Sequence, residues 1–410
     1  MRPIRGAVLV SISSLALVAP QLGGAQELSR ATPVIGSAET DFPRTPVTVG
    51  DTRLFLNGDV RLEYDSNIYA LPNDVTSDFK IVAAPALNAV LEKERYRMTG
   101  WANARFERFL DATTENSTAA SVGATGEYRV RGTDAIAALV AYERAVESRG
   151  DPEARISPTT GPRLIDISRA ELGYTRTGTR VGFRVRGTAA RFDHVSAVDR
   201  ERDHDSFSLS GRLRYLLTDL SSAFAELFYN RRNFALPFDL SGVNRDSDTV
   251  GGRIGIAIDP GGVLRGEAGA GIFRFNPADP SLPSRTGFSA QAALIYQPRA
   301  RLAFTLDGFH GDAATVRSGA YAREDTRVRL GVQQEVRRNL HWQAGAVYRR
   351  SAFLGTSVVE RTLGGYGEVE YLVNRRVAVA LSGRYADRNS NRPGEDFERF
   401  RSALELRLQF

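Results

Sequence analysis

From position 52 to the end of the chain, apolar and polar residues alternate with a period of two. In the last segment, for example, Leu404, Leu406 and Leu408 alternate with charged or amide side chains. Such alternation predicts β-strands with one apolar and one polar face. Eighteen segments of this kind follow one another, from TRLFLNGDVRLEY to FERFRSALELRLQF.

The connections between these segments alternate between short and long. Tight links such as RGTD and LTDL follow the even-numbered segments, and longer polar loops such as ESRGDPEARISPTTGP follow the odd-numbered ones. Tight turns on one rim and long loops on the other are typical of outer-membrane barrels with an even number of strands. The sequence therefore predicts an all-β fold, a transmembrane antiparallel up-and-down β-barrel of about 18 strands, with about 16 strands as the alternative.

The polar face is predicted to line the inside of this barrel. A ring of about eighteen strands leaves an aqueous lumen, so that an apolar interior would enclose a void. In the third segment Arg95, Arg97, Arg105 and Glu107 share one face, and burying such charges between two sheets would cost several kcal/mol each. A soluble sandwich packed on its apolar faces is the alternative.

Tyrosines at the ends of the segments favour the membrane barrel. They lie on the apolar face, where an amphipathic ring suits the boundary between hydrocarbon and headgroups. Two such rows predict aromatic girdles, and a sandwich has no reason to place tyrosines so regularly. The predicted girdle residues are Tyr64, Tyr142, Tyr229, Tyr348 and Tyr385 on ascending strands and Tyr128, Tyr174, Tyr215, Tyr296 and Tyr371 on descending strands.

The first 25 residues have the features of a secretory signal peptide. Arg2 and Arg5 precede a short apolar stretch at 7–18, and small residues at 23–25 precede a cleavage position at Gln26. The following residues are rich in Ser, Thr and Pro and show no period. We therefore expect a signal peptide at 1–25, a flexible periplasmic segment at 26–50 and an outer-membrane barrel at 51–410.

The amino-acid composition limits the kinds of site and partner that we expect. The absence of cysteine excludes disulfides, thiolate metal sites and a cysteine nucleophile. The net charge is +6, but the arginines recur singly and form no basic run, so nucleic acid is not an expected partner. The four histidines have no serine or aspartate at a recognisable spacing, which predicts no enzymatic activity, no cofactor and no metal site. They are His194, His204, His310 and His341.

The first segment ends in YDSNIYAL, residues 64–71. This stretch resembles the aromatic-Asp-x-Asn segment that opens the β-barrel porins found beside exopolysaccharide synthesis and export genes. The signal peptide, the even strand number and the terminal Phe410 are similar to those of outer-membrane proteins in general. The resemblance implies a location in the outer membrane of a Gram-negative bacterium, among lipid and lipopolysaccharide. It also implies that Phe410 is the insertion signal for the barrel-assembly machinery and that a periplasmic polysaccharide-export protein is a partner.

Charged residues on the polar face suggest what the lumen selects. If the N-terminus is periplasmic, one wall is basic near the periplasm and acidic toward the outside. Fixed charges in a low-dielectric wall select ions and polyanions, and arginine binds carboxylates and phosphates bidentately. The predicted basic wall comprises Arg95, Arg97, Arg129, Arg131, Arg184, Arg186, Arg212 and Arg214. The predicted acidic residues are Asp59, Glu63, Asp65, Glu107, Glu143 and Glu226.

These features, with the resemblance, predict an outer-membrane pore for polysaccharide or anionic solutes, the outer-membrane component of an exopolysaccharide export system. Two alternatives stay open. One is a general porin for small solutes, and the other is a structural or adhesive barrel that acts through its loops.

Overall fold

Eighteen long antiparallel strands, β2 to β19, pair with their neighbours in chain order, and β19 pairs with β2 to close the ring. The computed structural model describes residues 46–154, 157–259 and 262–410. The predicted signal peptide and most of the predicted periplasmic segment lie outside the described residues. The predicted all-β barrel is confirmed, with eighteen strands rather than sixteen.

The strands follow one another with short turns and longer loops in alternation. Their bounds are β1 (Val47–Val49), β2 (Thr52–Asp65), β3 (Asp78–Glu92), β4 (Tyr96–Phe109), β5 (Ser117–Arg131), β6 (Asp134–Val146), β7 (Leu164–Arg176), β8 (Val181–His194), β9 (His204–Thr218), β10 (Ser221–Phe234), β11 (Ser247–Ile258), β12 (Leu264–Pro277), β13 (Arg285–Arg299), β14 (Leu302–Ala313), β15 (Ala322–Arg337), β16 (Leu340–Leu354), β17 (Val359–Leu372), β18 (Val377–Ser390) and β19 (Phe397–Gln409). Short 3-10 helices occupy Thr113–Glu115 and Ala197–Arg202. Neither is long and apolar enough to cross a membrane.

The end of the chain closes the barrel. The Leu56 N–H donates to the Phe410 carbonyl at 2.9 Å, and the Phe410 N–H donates to the Leu56 carbonyl at 2.7 Å. Toward the start of β2, the short strand β1 takes the place of β19 along the same edge, with Val47 opposite Leu54. Closure matters because an open edge in hydrocarbon would leave backbone groups without partners.

The last strand shows how the two faces of the sheet are used. Leu404 on its outer face is 57% exposed, whereas Glu405 and Arg407 are 7% and 6% exposed. The same arrangement holds around the ring: most large apolar side chains of the strands are exposed on the outside. An apolar outer surface and a charged inner surface fit a barrel with lipid outside and water inside.

Aromatic side chains on the inner face pack over glycines of neighbouring strands. The Trp101 ring covers Gly123, and the Phe224 ring covers Gly269. A Cβ at Gly269 would lie 2.8 Å from the Phe224 ring, which is closer than side chains approach one another. The glycine-rich stretch at 266–273 thus serves close aromatic packing and bending of the wall.

Candidate functional site

All ten predicted girdle tyrosines lie on the outer face of the barrel, in one row near each rim. Tyr128 and Tyr215, for example, are 46% and 48% exposed near the rim of short turns. Near the rim of long loops, the ring of Tyr64 packs on that of Phe79 with centroids 5.1 Å apart. The rim of short turns is the periplasmic one in outer-membrane barrels, so the long loops surround the extracellular mouth.

The predicted basic wall lies toward the periplasmic ends of β4, β5, β8 and β9, and Arg95 lies in the turn before β4. Arg184 stands opposite Arg212, so that two members of the wall are direct neighbours. Arg131 ends β5 at a bulge, opposite Asp134. The structure thus gathers these residues in one sector of the barrel. The remaining members are Arg97, Arg129, Arg186 and Arg214.

Carboxylates neutralise part of this wall. Arg212 lies 2.6 Å from Glu226, which the sequence analysis had included, and 2.6 Å from Glu267, which it had not. Arg186 lies 3.1 Å from Glu171. Both overlooked glutamates occupy inward positions of the same alternating pattern, which is the signal that would have identified them. Further pairs are Arg129 with Glu127 and Arg214 with Asp259.

The predicted acidic residues also contact cations. Glu63 and Glu107 lie 3.2 Å and 2.9 Å from the same ammonium group, that of Lys80. Asp65 is fully buried and accepts a bidentate contact from Arg399, whose Nε lies 2.9 Å from Oδ1. The acidic row is therefore largely paired and does not form a wall of free carboxylates. The remaining members are Asp59, opposite Arg407, the exposed Glu143, and Glu226, paired with Arg212.

A second charged wall, which the sequence analysis missed, runs along β15 to β19. Its arginines occupy the middle and the extracellular half of the lumen, facing inward between apolar positions that face lipid. Strand β15 also carries carboxylates, and its Asp325 lies 2.8 Å from Arg349 on β16. Even so, basic side chains outnumber acidic ones at mid-height. The arginines are Arg323, Arg327, Arg329, Arg349, Arg384, Arg388, Arg399 and Arg401.

Glutamates occupy the periplasmic end of this second wall. Arg407 contacts three of them: it lies 2.8 Å from Glu368 and 2.6 Å from Glu405, and it also binds Glu370. Glu335 lies nearby on β15 and is buried. Because β15 to β18 lie across the ring from β6 to β9, arginines face glutamates at the periplasmic end. Such opposed charges produce a field across the lumen.

One extracellular loop crosses the mouth of the barrel. The loop after β6, with described residues 147–154 and 157–163, reaches β15 on the opposite side of the ring, and we call it the mouth bridge. Its Glu153 accepts backbone N–H groups of Val316 and Arg317, both at 2.8 Å, and the Thr315 hydroxyl. The Arg323 guanidinium lies 2.6 Å from the same carboxylate. Glu153 has φ +71°, so these contacts hold a strained backbone position.

Other arginines fix the mouth bridge along its length. Arg202, from the loop after β8, donates to the Glu153 carbonyl at 2.8 Å. Arg388 on β18 donates to the Asp151 carbonyl at 3.3 Å. Arg149 forms a bidentate pair with Glu115, with contacts of 2.9 and 2.5 Å. The bridge is therefore attached to at least three sectors of the barrel wall.

The electrostatics of Glu153 favour its ionised form. Burial alone would raise the pKa of Glu153, but the charges of Arg323 and Arg202 and the hydrogen bond from Thr315 lower it overall. Beside the carboxylate is a cavity of about 20 Å³, next to Arg317 and other charged groups. A space of that size holds about one water molecule. The bridge thus packs closely against its anchoring residues at this point.

The matching family model bears directly on this barrel. The model described as "Putative beta-barrel porin 2" matches residues 48–410. The chain belongs to this family. This β-barrel porin is an outer-membrane protein, with lipid around its apolar face and the mouth bridge on the extracellular side. The match covers every strand of the ring.

Solved structures with a similar barrel are only distantly related to this porin. The FrpB iron transporter of Neisseria meningitidis (F5-1 variant, apoprotein form) is 9% identical, with a TM-score of 0.48 over 91% of this chain and 83% of that chain. OpdK of Pseudomonas aeruginosa is 9% identical, with a TM-score of 0.46 over 87% and 99%. OccK5 (OpdH) of Pseudomonas aeruginosa is 13% identical, with a TM-score of 0.46 over 88% and 98%. No curated protein matches the chain.

Proposed function

We propose that this porin is a channel for small anionic solutes and that the mouth bridge limits the size of what passes. The observation that carries the proposal is the bridge itself, which spans the ring from β6 to β15 and is anchored by the buried pair of Glu153 and Arg323. We infer that a loop bound this way narrows the mouth, so that small molecules pass beside it and a thick polymer does not.

The charge of the lumen supports the preference for anions. Arg329 on β15 and Arg384 on β18 both face the lumen near mid-height of the second wall. In a low-dielectric wall, fixed positive charge raises the local concentration of anions. Arginine adds bidentate recognition of carboxylate and phosphate groups, which favours acidic sugars and organic acids over neutral solutes.

Polysaccharide export, the more specific prediction from the sequence, requires an additional step. A polymer can enter or leave only if the mouth bridge is displaced, which breaks the contacts of Glu153 with β15 and its adjoining loop. Export therefore requires a state in which the mouth bridge is displaced, and it needs a partner that binds the bridge or the lumen. Passage of small anions needs no such partner.

Liposome swelling tests the proposal. Proteoliposomes containing the purified porin are exposed to galacturonate, glucose, glucosamine and a long acidic oligosaccharide. We expect galacturonate to enter faster than glucose, and glucosamine and the oligosaccharide to enter more slowly. Equal rates for the three monosaccharides would refute anion preference, and rapid entry of the oligosaccharide would refute the size limit. No swelling with any solute would favour the structural or adhesive alternative.

A further inference from the structure

We propose that the outer face of the barrel binds a phosphate group of an outer-leaflet lipid between Arg350 and Arg361. These residues stand directly opposite each other on β16 and β17. Both point away from the lumen, because their strand neighbours Arg349 and Thr362 lie on the inner face, where Arg349 binds Asp325. This site faces the membrane and does not depend on the proposed channel function.

Among the described residues, the two guanidinium groups have no acidic partner. Like charges directly opposite each other on adjacent strands destabilise a sheet. Yet in the described part of the chain no carboxylate lies within ion-pair distance of Arg350 or Arg361. Two acidic side chains lie nearest to the pair in the register of the strands. Glu324 is bound to another cation, 2.9 Å from Arg285. Asp387 is on β18 and stands opposite Leu363 and Glu398, not opposite Arg361.

The height of the pair places it among lipid headgroups. Tyr348, a girdle residue, lies two positions before Arg350 on the same face of β16. Leu363, opposite Tyr348, is 60% exposed and lies in the apolar band. A tyrosine girdle marks the boundary between hydrocarbon and headgroups, so the arginines just above it lie where the phosphates of the extracellular leaflet lie.

Polar groups flank the arginines on both sides. Thr326 stands opposite Arg350, and Asn389 stands opposite Arg361, which makes a lateral row of four polar side chains across β15 to β18. Guanidinium groups recognise phosphate oxygens bidentately, and the Asn389 amide adds hydrogen bonds, while the Thr326 hydroxyl lies 2.8 Å from His310 Nδ1. The row suits a phosphorylated glycolipid, in which phosphate and sugar hydroxyls lie side by side, such as lipopolysaccharide.

Other outward arginines near the same rim provide a comparison. Arg144 donates two 2.7 Å hydrogen bonds to Asp166. Arg191 lies 2.8 Å from Asp193. Their charges are already compensated within the sheet, whereas no described carboxylate compensates those of Arg350 and Arg361. A double substitution of Arg144 and Arg191 by glutamine is therefore a matched control for Arg350→Gln/Arg361→Gln.

Native mass spectrometry of the purified porin tests the site. The porin in detergent is titrated with bisphosphorylated lipid A and with dephosphorylated lipid A, with and without millimolar inorganic phosphate. We expect one tight lipid A adduct on the unmodified porin and roughly tenfold weaker binding for Arg350→Gln/Arg361→Gln, since charge-assisted hydrogen bonds are lost. We expect the Arg144→Gln/Arg191→Gln control to bind lipid A like the unmodified porin.

Three results would overturn the proposal. The first is that Arg350→Gln/Arg361→Gln binds lipid A as tightly as the unmodified porin does. The second is that the unmodified porin binds dephosphorylated lipid A as tightly as bisphosphorylated lipid A. The third is that inorganic phosphate displaces lipid A completely, which would indicate a site for the free anion. Folding does not obscure the outcome. Removing two like charges relieves repulsion, so without lipid the double variant should unfold at the same or a higher temperature. Only the unmodified porin and the control should be stabilised by added lipid A.

Discussion

Replacing Glu153 by alanine removes the main anchor of the mouth bridge. The substitution eliminates the pair with Arg323 and the acceptor for the N–H groups of Val316 and Arg317. Arg323 is fully buried and keeps Asp325, at 3.2 Å, as its ion-pair partner among the described residues, with the Phe353 ring centroid 6.0 Å away. The change therefore leaves a buried cation partly uncompensated when the bridge is in place.

The expected magnitude follows from the cost of breaking a buried ion pair, about 3–5 kcal/mol when one partner is removed. Because Arg323 retains Asp325, we take the lower end, about 3 kcal/mol, which shifts the ratio of open to closed bridge by about two orders of magnitude. The alanine side chain also relieves none of the strain at φ +71°. A bridge that is rarely displaced in the unmodified porin should then be displaced often.

Single-channel recording in a planar bilayer measures this change. We expect Glu153→Ala to show larger conductance steps and more frequent transitions than the unmodified porin. Hydrogen exchange of residues 147–154 should become faster in parallel. Asp219→Ala serves as the control, because Asp219 is exposed in the short turn between β9 and β10, far from the mouth bridge, and its loss should leave the conductance unchanged. Identical conductance and exchange for Glu153→Ala and the unmodified porin would refute the anchoring role.

The same contact predicts a pH dependence with a defined sign. Burial opposes ionisation of Glu153, but its cationic neighbours hold its pKa below the ordinary value of 4.5. A lowered pKa means that the stabilisation is present above pH 4.5 and is lost as the pH falls through the lowered pKa. Conductance should therefore stay constant from pH 7 to pH 5 and rise only in stronger acid. A rise between pH 7 and pH 5 would contradict this assignment.

Three other changes to the chain test the basic wall, the packing of the inner face and the closure of the barrel. Replacing Arg97 and Arg129 by glutamate should lower the anion-to-cation permeability ratio in a salt gradient; an unchanged ratio would remove this wall from selectivity. Gly123→Val places atoms where the Trp101 ring packs and should lower stability by about 1–3 kcal/mol, seen as an earlier thermal transition; an unaltered transition would contradict the packing. Deleting Phe410 removes two backbone hydrogen bonds to β2 and should reduce the folded fraction on unheated gels; normal assembly would argue against its role.

The sequence was sufficient to predict the barrel because period-two alternation is local. Each strand reveals both faces by itself: in β19, Leu404 and Leu406 face lipid, and Glu405 faces water. The strand count and the loop pattern follow from the same local signal. Closure through Phe410 and Leu56 follows in turn, since every strand edge in a membrane needs a partner.

The site was harder to predict because it depends on contacts distant in the chain. Glu153 is one acidic residue in a polar loop, and nothing near it in the sequence indicates that it binds Arg323, which is 170 positions away. The arginines of β15 to β19 had a local signal, inward positions in segments such as DTRVRLGVQQEV, but their opposition to the first wall appears only when the ring closes. Pairing of Glu63 with Lys80 likewise depends on register.

The reversal potential of the unmodified porin in a planar bilayer, under a tenfold KCl gradient, tests the central claim most directly. An anion channel with a narrowed mouth predicts discrete conductance steps and a reversal potential displaced toward that of chloride. A reversal potential displaced toward that of potassium, or a membrane that stays silent although folded porin is present, would contradict the proposed function.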